Sequence, residues 1–140
     1  MQSATQTTSV SKQALWAGRI ITGLVAALLL FDAIVKVMKL APAMEGTVKL
    51  GYPASVVLPL GIVLLACVVL YAIPRTSVLG AILLTGYLGG AVATQVRVED
   101  PLFLFPIGFG VLVWGGLYLR DRQLRALIPM RNPVEDLIIE

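Results

Sequence analysis

The sequence contains no histidine and only one cysteine. Without histidine there is no imidazole metal ligand, no histidine-ligated haem and no Ser-His-Asp triad. One cysteine permits neither an intrachain disulfide nor a CxxC redox pair. That cysteine, Cys67, lies inside an apolar run, the setting of a small packing residue. Charge is scarce as well: charged residues make up 14% of the 140-residue chain, against about 25% in a soluble domain. Apolar residues reach 58% and the mean hydropathy is +0.89. A chain this poor in charge cannot dress a water-facing surface, so its solvent is lipid. The net charge of +3 is too small and scattered for a nucleic-acid footprint. No basic residue precedes Lys12, and the apolar stretch after it exceeds a signal-peptide core, so the first hydrophobic segment is expected to stay in the mature protein.

A bilayer core about 30 Å thick takes roughly 20 helical residues to cross, and four stretches have that length. Spans are expected at about 14–37, 54–73, 76–96 and 102–120, within a transmembrane domain over 14–128. Flexible tails are expected at 1–13 and 129–140. The Pro74-Arg75-Thr76 and Glu99-Asp100-Pro101 breaks are so short that the spans around them must form antiparallel hairpins. Pro59 removes one hydrogen bond from the second span and predicts a kink or a widened first turn. The link from Met38 to Leu50 is too short and polar to span. It reads as an interfacial or re-entrant segment, with Met44, Val48 and Leu50 dipping into the membrane. The predicted fold is all-α: an integral membrane four-helix bundle with short loops. An even number of spans puts both termini on one side. Lys12, Arg19, Arg75, Arg120, Arg122, Arg125 and Arg131 fall there, against Lys36, Lys39, Lys49 and Arg97 opposite, a bias that predicts cytoplasmic termini.

In lipid, close packing of small residues holds helices together better than apolar burial does. Gly80, Gly86, Gly89 and Gly90 of the third span and Gly115 and Gly116 of the fourth are read as packing seams within the chain. A homo-oligomer interface and a slot for a flat ligand are the alternatives. Among ionisable groups at membrane depth, Asp32 and Lys36 lie four residues apart on one helix face and can pair. They read either as an ion pair anchoring the helix end or as part of a ligand or proton site. Arg19 and Arg97 flank spans as snorkelling anchors. Tyr71, Tyr118, Trp16 and Trp114 read as interfacial belts. Tyr87 falls near mid-span, where its hydroxyl needs a partner, and a neighbouring helix is expected to supply it. No metal-ligand cluster, nucleotide loop or nucleophile with an adjacent base is present, so no catalytic residue is assigned and the reading points away from an enzyme.

The segment YAIPRTSVLGAILLTGYLGGAVATQVR, residues 71–97, resembles the DoxX-like family of small bacterial four-helix membrane proteins. So do LFDAIVK at 30–36, LGYP at 50–53 and VWGGLYLRD at 113–121, together extending over roughly 16–128. The resemblance implies the four-helix fold and a bacterial inner membrane. The family takes its name from a subunit associated with a terminal quinol oxidase, and some members accompany membrane redox systems. Many relatives carry a Glu just before the Ala-Cys of the second span, where this chain has Leu64-Leu65, and a His where it has Gln95. A site built from those groups would be altered here, while Asp32, Lys36, Arg75 and Arg97 remain.

Three functions follow as expectations. The first is a non-catalytic accessory or scaffolding subunit, packed against other transmembrane chains of a redox or photosynthetic complex. The second is a quinone- or lipid-binding component of a membrane oxidoreductase, with Asp32, Lys36, Tyr87, Gln95 and Arg97 around the ligand and no cofactor of its own. The third, a small-molecule transporter, draws little from four helices without an inverted repeat.

Overall fold

A computed structural model describes residues 11–128, and every regular element among them is helical. Helix α1 (Lys12–Val37) begins at Ser11, whose hydroxyl accepts the Ala14 amide at 3.2 Å and satisfies one of the first-turn donors. Helices α3 (Val57–Ala72), α4 (Ser77–Arg97) and α5 (Leu104–Arg120) each follow a 3₁₀ turn, at Ala54–Val56, Pro74–Thr76 and Pro101–Phe103. A proline opens or immediately precedes each turn, where a missing N–H costs nothing. Counted with those turns, four helices are long and apolar enough to cross a membrane: Lys12–Val37, Ala54–Ala72, Pro74–Arg97 and Pro101–Arg120. Pro59 is the third residue of α3, among amides that lack a helical partner in any case, so the α-helix runs unbroken from Val57 to Ala72. Residues 12 and 13, expected in the N-terminal tail, are the first of α1; residues 1–10 and 129–140 lie outside the described residues.

The link after α1 forms a short helix, α2 (Ala41–Lys49), with Val48 exposed and Thr47 buried. Its end and the ends of α1 and α4 share one closing device. In each, the second residue past the helix is left-handed: Lys39 (φ 54°), Gly51 (φ 95°) and Glu99 (φ 56°). Backbone bonds from Leu40 to Val35 (3.1 Å), Tyr52 to Thr47 (3.3 Å) and Asp100 to Gln95 (2.9 Å) then occupy carbonyls the helix would leave unpaired. After α5 the chain breaks at Asp121, whose carboxylate accepts the Gln123 and Leu124 amides and starts α6 (Arg122–Leu127).

The four long helices form a ring in which each packs on its neighbours in sequence and α1 closes against α5. Val25, Leu29 and Ala33 of α1, Leu64, Cys67, Val68 and Tyr71 of α3, Ala81, Leu84 and Leu88 of α4, and Val113 and Leu117 of α5 meet in the core. Outward-facing side chains are just as apolar, with Phe31 69% and Val111 66% exposed. Such a surface is stable only in hydrocarbon, where helices also satisfy every backbone group internally. This is a multi-pass membrane protein.

Small residues bring the helices together near the termini. A Cβ on Gly80 would fall 2.5 Å from the Tyr71 Cα, and one on Gly116 would fall 2.6 Å from the Thr22 Oγ1. These two expected packing glycines sit in seams. The other four do not: Gly86, Gly89, Gly90 and Gly115 have nothing within 4 Å of a would-be Cβ, because they face away from the neighbouring backbones. Tyr71 also departs from its expected interfacial place. It is fully buried, and its hydroxyl donates to the Val113 carbonyl at 2.9 Å, bridging the diagonal from α3 to α5. Trp114, likewise expected in a belt, donates its indole N–H to Thr85 Oγ1 at 2.7 Å near the middle of α4.

Candidate ligand-binding cavity

At the end of the bundle away from the termini the helices part around a cavity of about 550 Å³. Its walls come from all four spans and from the linker over 38–52: Leu28, Leu29, Asp32 and Lys36 of α1, Thr47 of α2, Leu50, Tyr52, Leu60 of α3, seven residues of α4 between Gly86 and Gln95, and Phe105, Pro106 and Phe109 of α5. The volume falls within the range of sites that hold drug-sized or cofactor-sized molecules. Most of the lining is hydrocarbon. Gly86 and Gly90, one turn apart, leave a flat stretch of α4 on one wall, while Phe105 and Phe109, also one turn apart, supply rings from α5.

The polar groups gather toward the mouth. Asp32 and Lys36 form an ion pair along α1. The carboxylate lies five residues from the helix end, roughly 7–8 Å below it at the usual rise. Lys36 is 16% exposed and Asp32 47%, and both line the cavity. Thr94 donates to the Gly90 carbonyl at 2.9 Å, which leaves its oxygen to accept the Tyr52 hydroxyl at 2.8 Å. That bond ties the linker to α4. Gln95, one residue on, is different: its Oε1 is buried with no hydrogen-bond partner among the described residues. An orphaned acceptor in a low-dielectric wall is costly, and this one meets a molecule in the cavity once the Gln95 side chain turns.

Tyr87 lines the same cavity. Contrary to the expectation of a bond to a neighbouring helix, its hydroxyl has no hydrogen-bond partner among the described residues, although its ring packs against the core. Arg97, expected around the ligand, is absent from the lining. Its Nη2 donates to the Leu50 carbonyl at 3.0 Å, so its work is to hold the end of α2 against α4. Asp32, Lys36, Tyr87 and Gln95 are therefore brought together, and Arg97 braces the linker above them. Tyr52 and the two phenylalanines were not singled out from the sequence. Counting helical turns from Gln95 back to Ala91, Leu88 and Tyr87 places the α4 face, but nothing in the chain order reveals that Tyr52 reaches it. Among the described residues no three His, Cys, Asp or Glu side chains cluster closely enough to share a metal ion.

The comparison with protein families agrees with the resemblance read from residues 71–97. A family model described as DoxX-like matches residues 20–116. The chain belongs to the DoxX-like family. No curated protein and no solved structure matches it. The matched region of this DoxX-like protein contains every residue that lines the cavity, from Leu28 to Phe109. The two positions where the resemblance implied other residues separate in space. Gln95 is in the cavity wall, whereas Leu64 is fully buried in the apolar core beneath it.

Proposed function

We propose that this DoxX-like protein binds a membrane-soluble amphipathic molecule, a quinone or a lipid, in the cavity at the mouth of its bundle, as a component of a membrane redox system. One observation carries the reading: an apolar chamber of about 550 Å³ whose few polar groups include an unpartnered Gln95 oxygen and a free Tyr87 hydroxyl. An apolar pocket with a few convergent polar groups is the usual form of a small-molecule site. A ring or chain would lie among Leu28, Leu60, Phe105 and Phe109, with its polar end toward Gln95 and the Asp32–Lys36 pair. The chain brings no electron carrier of its own, so turnover would depend on a cofactor held by another protein. With cytoplasmic termini in a bacterial inner membrane, the cavity would open on the opposite face.

The test is extraction of protein purified from native membranes in mild detergent, with lipids and quinones identified by mass spectrometry. Stoichiometric retention of one class by the wild type, lost in Asp32→Ala and Tyr87→Leu variants that remain folded, is expected. Equal, substoichiometric recovery from wild type and variants would sink the proposal.

A second reading, an accessory subunit, draws on Gly89 and Gly115, which lie outside the cavity and would meet no described residue within 4 Å of a Cβ. Close approach of a partner helix is the common use of such glycines in lipid. Crosslinking from α4 in native membranes should then capture larger membrane proteins; recovery of the uncrosslinked monomer alone would count against it.

A further inference from the structure

The two ends of the bundle differ in charge. Around the cavity mouth, Lys36, Lys39, Lys49 and Arg97 are balanced by Asp32, Glu45, Glu99 and Asp100. At the other end, the described residues carry Lys12, Arg19, Arg75, Arg120, Arg122 and Arg125 against Asp121, and the sequence beyond them adds Arg131 together with Glu135, Asp136 and Glu140. Asp121 is occupied locally, with its carboxylate on the first amides of α6. Lys12, Arg19, Arg75, Arg120 and Arg125 make no ion pair among the described residues.

These cations are placed at headgroup level. Arg75 sits in the turn between α3 and α4, Arg120 ends α5, and α6 carries Arg122 and Arg125 alongside exposed Leu127 and Ile128. Arg19 lies deeper, but helical side chains lean toward the helix N-terminus, which for α1 is this face. Two guanidinium groups stack on aromatic rings, Arg19 at 5.8 Å from the Trp16 centroid and Arg125 at 5.5 Å from that of Tyr118. Arg125 spends Nε on the Tyr118 carbonyl at 2.5 Å and Nη2 on the Leu119 carbonyl at 2.6 Å, closing the end of α5, so of the two stacked groups it is Arg19 whose N–H edge stays available to phosphate. Arg120 gives Nη2 to Ser77 Oγ at 3.3 Å and keeps a buried Nε without a partner.

We infer that this face is a binding surface for anionic phospholipid headgroups, which gather around the termini end of the bundle in preference to zwitterionic lipid. Basic residues at the span ends, beside interfacial aromatics and a short surface helix, fit the phosphates of a leaflet better than an acidic protein, which would need a protruding basic patch. Each exposed cation near an anionic surface favours it by about 1 kcal/mol at low salt, or roughly fivefold.

Bilayer reconstitution with brominated lipids tests this. In a Trp114→Phe background Trp16 is the sole tryptophan, and it reports which lipids surround this face. Dibromo-phosphatidylglycerol should quench it several-fold more effectively than dibromo-phosphatidylcholine at equal fraction. The preference should shrink by about threefold to fivefold for Arg75→Gln, which does not touch Trp16, and should fade in about 0.5 M salt. Equal quenching by the two lipids would overturn the inference and favour an acidic protein partner; a preference unchanged in Arg75→Gln would overturn it equally. If Trp114→Phe does not fold, counting retained phosphatidylglycerol on the wild type and the Arg75→Gln variant by native mass spectrometry gives the same comparison.

Discussion

Replacing Gly80 with alanine tests the packing account most directly. The added Cβ would lie 2.5 Å from the Tyr71 Cα, and ordinary contact begins near 3.4 Å, so about 1 Å must be found. Both partners are backbone, and no rotamer change can supply it. Parting α3 from α4 also strains the polar stitching of their hairpin, in which Thr76 donates to the Leu70 carbonyl at 2.7 Å and Ser77 to the Tyr71 carbonyl at 2.8 Å. Tyr71 is tied in turn to the Val113 carbonyl, so a displaced Tyr71 drags on α5. Overpacking costs about 1–3 kcal/mol, a weakened buried hydrogen bond about 1, and the better helix propensity of alanine returns up to about 1. The net expectation is a loss of roughly 1–3 kcal/mol. Gly86→Ala adds the same methyl group to the same helix where nothing lies within 4 Å, so it should be neutral or slightly stabilising. Thermal unfolding of both variants in one detergent, followed by far-ultraviolet circular dichroism, isolates the contact. The reasoning fails if Gly80→Ala melts at or above Gly86→Ala.

Gln95→Leu should move stability and binding in opposite directions. Removing an unpartnered buried oxygen should stabilise the empty protein by about 1–2 kcal/mol, while retention of the co-purified amphiphile falls; a variant that lost both would show that Gln95 has a structural partner instead. Glu99→Gly relieves a left-handed residue at the end of α4 and should raise the melting temperature by the equivalent of about 1 kcal/mol, whereas a lowered one would mean that the carboxylate matters more than the backbone. Arg97→Ala frees the Leu50 carbonyl, and hydrogen exchange measured by mass spectrometry should quicken over 41–52 while the core of α3 and α4 stays protected. Unchanged exchange in the linker would remove Arg97 from its bracing role.

The spans were legible because lipid imposes one length and one composition on anything that crosses it, and Lys49, Arg75, Arg97 and Arg120 mark the limits in plain sight. Which face of each helix turns inward was not. Hydropathy carries little facing information when both the core and the surroundings are hydrocarbon, so Tyr71 resembled an interfacial residue and Gly86 resembled a seam. One signal was available at the hairpin. The turn at 74–76 is so short that residues at similar distances from it oppose one another, and Tyr71 and Gly80, three residues before it and four after it, are such a pair. What meets Gly80 is the Tyr71 backbone, an approach that only a residue without a Cβ permits, whereas a run of glycines alone is only a composition. The same counting weakens with distance from the turn. By Gly86 and Gly90 the partner backbone has left the glycine face of α4, and both residues line the cavity. The helices close at Gly80 and Gly116 near the termini, and α1 stays closed on α3 at the other end, where a Cβ on Gly61 would fall 2.8 Å from the Val37 nitrogen. The cavity therefore opens along the glycine face of α4, where Gly86 and Gly90 meet nothing within 4 Å, with Asp32, Tyr87 and Gln95 in its lining.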